Sequence, residues 1–212
     1  AKNISKTSSK IASALANNMD NVTSIMRFSL DTVAFFQKVI GDNAMSAIAG
    51  TARKLSGGAI PLWTPSMPSG APKIPKCKSV GENRVVYFPS CINRSMGKSK
   101  NYNPKEVALV DKTVELLERA GFTVVFPDNV ENLCCGMPFT SKGFVEQGKA
   151  KSDELEAALM KVSENGKLPV LYDMSPCFNS SKEHLSSILT IIDPIEFMLD
   201  YVMPRLKVTR KK

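Results

Sequence analysis

Apolar residues near the start of the chain return at steps of three and four: Val22, Ile25, Met26, Leu30, Val33, Phe36 and Ile40. That spacing follows the 3.6-residue helical turn and predicts an apolar stripe on a helix that ends near Gly41, with a shorter helix over about 42–55. The stretch SGGAIPLWTPSMPSGAPKIP (56–75) breaks the period with glycines and prolines. It reads as a long irregular connection that Trp63 pins to a neighbouring surface.

From Arg84 onward the period alternates. Short β-branched and aromatic runs at 84–89, 122–126, 168–173 and 189–193 read as strands. Between them lie helical patterns, the best signed of which covers 103–121: Asn103 as N-cap, Pro104 in the first turn, Glu106 three residues after the cap, Val107, Val110, Val114 and Leu117 as the apolar stripe, and Gly121 as terminator. Further helices are predicted over 141–166 and about 178–187, and a last one opens at Asp193, Pro194 and Glu196 and reaches about Met203. Strands joined through helices return in the same direction, so the expected fold is α/β, a parallel β-sheet with alternating helices, preceded by an N-terminal helical arm. The boundaries that follow are 1–56 for the arm or linker, 57–83 for the irregular connection and 84–212 for the α/β domain.

Length and charge narrow the function classes. With 212 residues the chain can form one substantial domain, or a domain with an appendage. Its net charge of +8 is spread out, and the only dense basic run is Arg205, Lys207, Arg210, Lys211 and Lys212, without a recognition motif, so no nucleic-acid partner is expected. The most apolar helix candidate, 22–40, is interrupted by Arg27, Asp31 and Lys38, which excludes it as a membrane span. No signal-peptide pattern opens the chain and five cysteines is an odd count, so reduced thiols in the cytosol are expected. The start at Ala1 and the close on RLKVTRKK suggest a piece of a longer polypeptide.

The chemistry concentrates in NLCCGMPFTSKGF (132–144), where two cysteines stand side by side. Adjacent Cα atoms lie about 3.8 Å apart, short of the roughly 5.5 Å a disulfide prefers, so a mutual bond is not what the pair is for. Cys91 follows the first strand, Cys134 and Cys135 follow the second, and Cys177 follows the third. In a parallel sheet these loops leave one carboxyl edge, where ligands of open α/β folds sit, and four convergent thiols suit an iron–sulfur cluster or zinc. Helix N-termini after the loops would favour the thiolates, and Gly136 would let the backbone turn so that both neighbouring thiols face one centre. The plain alternative is that each cysteine is a small buried hydrophobe; that, or a merely exposed thiol, is the expectation for Cys77 in its lysine-flanked loop. His184, two turns beyond Cys177, is a candidate fifth ligand, although a lone histidine is more often an ordinary residue. Asp173 reads as a loop or cap residue, and no catalytic residue is assigned.

VVYFPSC, NLCCGMPFTSKGF and LYDMSPC resemble the cysteine-rich CCG domain of heterodisulfide reductase subunits, of the glycolate oxidase iron–sulfur subunit and, most closely, of the C-terminal part of FAD-linked D-lactate dehydrogenases. The stretch 20–56 with TARKLSGGAIPLWTPSMP resembles the connection between a ferredoxin-like segment and the first CCG repeat. Two departures stand out. Where that pattern commonly ends in Cys-x-x-Cys, Cys177 is followed by Phe178, Asn179 and Ser180, and only one repeat is present.

The resemblance implies an electron-transfer iron–sulfur module, of the 4Fe-4S kind, ligated by Cys91, Cys134, Cys135 and Cys177 with Gly136 shaping the loop. FAD belongs to the longer relatives, since this chain has no glycine-rich flavin segment and no ferredoxin-type cysteine run. The implied partners are flavin and ferredoxin-like domains of the same longer polypeptide and a quinone or protein electron acceptor. A chain of this kind is not expected to oxidise a 2-hydroxy acid alone, and it is expected in the cytoplasm, with peripheral association at the inner face of the membrane left open. A structural zinc site or a metal-free interaction domain remains the alternative.

Overall fold

The structure, a computed structural model, describes residues 5–60, 62–75, 81–99 and 107–206. Helix α1 (Lys6–Asn17) is capped by Ser5, whose hydroxyl accepts the Ser8 N–H, and α2 (Met19–Leu55) follows after a single residue. Gly41 leaves helical geometry inside α2, at φ 81° and ψ 168°, so the predicted break falls there as a kink within one element. The predicted stripe is a core face only at Leu30; Ile25, Met26, Phe36 and Ile40 are exposed. The buried line is instead Met19, Thr23, Leu30, Gln37 and Met45, because α2 touches the rest of the molecule along one edge.

The connection after α2 is more ordered than its composition suggests. Trp63 is buried, and Pro68–Gly70 forms strand β1, so the expectation of no regular structure there is corrected. Strand β2 (Arg84–Phe88) leads into the one-turn helix α3 (Cys91–Ser95) and strand β3 (Met96–Ser99), which pairs antiparallel with β1. Asp31 of α2 accepts the Gly70 N–H at 2.9 Å, tying this small ribbon to the arm.

Helix α4 (Leu109–Arg119) is shorter than predicted. Ala108 occupies the N-cap position with extended backbone, Val107 lies before the helix, and Asn103, Pro104 and Glu106 lie outside the described residues. Strand β4 (Thr123–Val125), helices α5 (Met137–Thr140) and α6 (Val145–Val162), strand β5 (Val170–Tyr172), helix α7 (Ser175–His184), strand β6 (Ile191–Ile192) and helix α8 (Pro194–Phe197) complete the alternation. The chain continues from α8 as a π turn over Met198–Val202 and a 3₁₀ turn over Met203–Arg205.

The four strands predicted from Arg84 onward form one all-parallel sheet in the order β4-β2-β5-β6. Val110, Val114, Leu117, Phe197 and Val202 cover one face against Val85 and Tyr87. Leu155, Leu159 and Phe178 cover the other against Val86, Phe88 and Tyr172. The path runs from β2 outward to β4, then crosses back over to β5 on the other side of β2. Such a reversal opens a crevice at the carboxyl ends of the two strands where it occurs, here β2 and β5.

Candidate metal centre

The crevice is where the cysteines meet. Cys91 opens α3 just after β2, and Cys177 is the third residue of α7 just after β5, so the two flank the switch point. Asp173 fastens these strand ends together: one carboxylate oxygen accepts the Ser90 N–H at 2.8 Å and the other accepts the Tyr87 hydroxyl at 2.9 Å. The residue read as a loop or cap thus fixes the distance between the loops that carry Cys91 and Cys177.

Cys134 and Cys135 arrive from the loop after β4, which is held on several sides. Asn132 accepts the Met19 N–H at 3.0 Å and donates to Glu154 at 2.9 Å, joining the loop to α2 and α6. Gly136 follows at φ 83°, the left-handed conformation expected of it, and starts α5. A Cβ at Gly136 would lie 2.2 Å from the carbonyl oxygen of Gly148, so the CC turn lies directly against the backbone of α6.

The four thiols are free and interact in series: Cys91 with Cys134, Cys134 with its neighbour Cys135, and Cys135 with Cys177. Cys134, Cys135 and Cys177 are buried, and Cys91 is half-buried. Backbone N–H groups point at three sulfurs, from Ile92 to Cys91, from Gly136 to Cys134 and from Met137 to Cys135. The Cys91 thiol is pushed far above its ordinary range by the Cys134 thiol and by burial. Cys134 is pushed up to about 11, chiefly by Cys135 and burial. For Cys135 the Cys134 thiol pulls downward, but Cys177 and burial push harder, up to about 12. Neutral, buried thiols of this kind are poor nucleophiles at neutral pH.

Sequence reasoning missed Arg94, which lies one turn along α3 from Cys91 and is only 1% exposed. Its guanidinium donates to the carbonyls of Val130 and Leu133, the latter just before Cys134. The Nε of Arg94 is buried without a partner among the described residues. The signal available in CINRS was a basic residue three positions after a candidate ligand, but only the tertiary packing buries it.

The donor set was tested against the group it was expected to hold. Among the described residues, no three His, Cys, Asp or Glu side chains already surround a common metal position. The thiols interact in a row from Cys91 through Cys134 and Cys135 to Cys177. The chemistry of the surroundings nevertheless fits an anionic thiolate centre: N–H groups face the sulfurs, and a buried cation stands beside them. His184 is exposed at the end of α7, with Nδ1 2.8 Å from the Ser180 carbonyl. Cys77 lies outside the described residues. Two of the thiols line cavities: Cys91 an apolar one of about 560 Å³ with Ile11, Leu15, Ile92 and Phe139, and Cys135 one of about 320 Å³ with the charged residues Lys149, Asp153 and Glu183 and with His184.

Gly148 is close-packed in turn: a Cβ there would lie 2.3 Å from Cγ2 of Thr140, because α5 folds back onto this side of α6. No helix among the described residues is long and apolar enough to cross a membrane. In comparisons with known proteins, the chain matches no protein-family model, no curated protein and no solved structure.

Proposed function

We propose that the protein is an iron–sulfur electron-transfer module of an FAD-linked D-lactate, or other 2-hydroxy-acid, dehydrogenase-like oxidoreductase, with Cys91, Cys134, Cys135 and Cys177 as the metal ligands. The observation that carries the reading is the meeting of four thiols from three strand-end loops at one switch-point crevice, with backbone N–H groups directed at three of the sulfurs. The flavin origin of the electrons and their 2-hydroxy-acid source rest on the resemblance of the three cysteine segments alone.

A bound cluster would supply one-electron chemistry, passing charge from a flavin towards a quinone or protein acceptor. The chain's own residues supply the rest. Asp173 sets the spacing of the Cys91 and Cys177 loops through Ser90 and Tyr87, and Gly136 presents the vicinal pair. Leu133, Phe139 and Phe178 are buried around Cys134, Cys135 and Cys177 and shield them from water.

The test is anaerobic reconstitution of the full chain with iron and sulfide, followed by metal analysis, visible absorption and electron paramagnetic resonance. Iron and sulfide bound in proportion to protein, and lost on replacement of Cys134 and Cys135 by serine, are expected. Zinc bound at one per chain, with iron refused, would instead give the thiols the structural role.

A further inference from the structure

We propose that Arg94 is the built-in countercharge of the thiol centre, a positioning residue that offsets the negative charge four thiolates carry once they hold metal. The inference rests on the metal reading above and assigns a role to a residue outside the ligand set.

Arg94 is among the largest side chains fully removed from solvent, and an isolated buried ion is costly by several kcal/mol unless an opposite charge accompanies it. Two of its nitrogens are satisfied by the carbonyls of Val130 and Leu133, which are neutral acceptors. Among the described residues no carboxylate comes within ion-pair distance. Two carboxylates act on it from farther away: Glu131, whose Oε1 pairs with Arg27 at 3.3 Å while its Oε2 is buried without a partner among the described residues, and Asp173, which is held by the neutral donors Ser90 and Tyr87.

The ligand set acts on Arg94 as well, Cys91 foremost. Cys91 lies one helical turn before it on the same short helix, and Leu133, whose carbonyl it holds, is bonded directly to Cys134. Its third nitrogen, Nε, is buried and unpartnered among the described residues. A carbonyl clamp alone could be built from a neutral amide. A permanent cation with a spare donor, joining the helix of Cys91 to the loop of Cys134, suits an anionic centre.

Arg94→Gln and Arg94→Lys separate charge from clamping. Glutamine keeps amide donors and loses the charge; lysine keeps the charge and loses the fork. In the anaerobically reconstituted full chain, loss of a nearby positive charge disfavours the reduced, more negative state. Arg94→Gln is expected to lower the reduced-to-oxidised ratio at fixed potential tenfold or more, a shift of about 59 mV for one electron, while Arg94→Lys stays near the parent. A cobalt(II) titration of the metal-free chain, read by thiolate charge-transfer absorption, is expected to show at least tenfold weaker binding in Arg94→Gln and near-parental binding in Arg94→Lys. Equal potentials and affinities in all three proteins would overturn the countercharge, as would equal losses in both variants or a loss confined to Arg94→Lys. Failure of the parent to take up either iron or cobalt would overturn the metal reading itself.

Discussion

Val85, Val86 and Tyr87 of β2 are 0% exposed, whereas Phe28, Phe35 and Val39 of α2 are 74%, 63% and 64% exposed. Both stretches are rich in apolar residues, and each forms the element its period predicts. The difference lies in what is available to cover them. A central parallel strand has helices on both faces, so every side chain finds a hydrocarbon neighbour. Helix α2 meets the ribbon, the 130–132 turn and α3 along a single edge, and its buried positions include two polar residues. Both are satisfied: Thr23 donates to the Asp20 carbonyl at 3.0 Å, and Gln37 donates to Asp42 at 3.0 Å and the Pro65 carbonyl at 3.1 Å. Periodicity reports the shape an element takes; it does not report whether a partner is present.

The contrast can be broken most sharply at the thiol edge. Gly136→Val combines a left-handed φ barred to branched residues with a backbone collision, two penalties of about 1–3 kcal/mol each. Urea unfolding should show a loss above about 3 kcal/mol, or no folded protein; an unchanged midpoint would mean that the CC turn does not rest on α6. Leu155→Ala, in the cluster that holds Cys135 and Cys177, should cost about 2–5 kcal/mol by the same measurement.

Titration separates the regions in another way. In the metal-free protein Cys134 and Cys135 keep their protons to about 11 and about 12, while an unfolded thiol loses its proton near 8.5. The folded state then holds the extra protons, so this contribution to stability is complete below about pH 8.5 and falls as pH rises through about 11–12. Urea midpoints measured from pH 8 to 11 should decline more steeply for the parent than for a chain with both cysteines replaced by serine.

Gly148→Ala should cost about 1–3 kcal/mol, and Thr140→Ser, which removes the opposing methyl group, should recover much of that loss. Smallest of all, Phe35→Ser on the bare side of α2 should change stability by no more than about 0.5 kcal/mol. A loss of 2 kcal/mol or more there would reveal a cover over the arm and erase the contrast.

How far the sequence reached follows the same division. The sheet was legible because its strands are short apolar runs bounded by helix signals, and Cys91, Cys134, Cys135 and Cys177 could be placed on one edge by counting elements. Strand order was not legible, since nothing local in Thr123–Val125 says that it lies outside β2 instead of beside β5. Arg94 was hidden because a charged residue in a five-residue helix reads as solvated until the loop from Val130 to Leu133 closes over it. Pro68–Gly70 was passed over because three residues among prolines carry no alternation, and its pairing comes from a partner about thirty residues away.

The roof over the vicinal thiols has a consequence for the order in which the molecule assembles. Ala12, Ala16 and Met19 pack with Cys134 and Phe139, and bonds such as Met19 to Asn132 and Ser13 to Gln147 span 113 and 134 positions of chain. Contacts of such long range close late, after local strands and helices have formed, because the entropy of the intervening loop must be overcome first. During synthesis the arm emerges first and waits for the CC loop that completes its own core. Until that closure Cys134 lacks the cover that buries it in the finished fold.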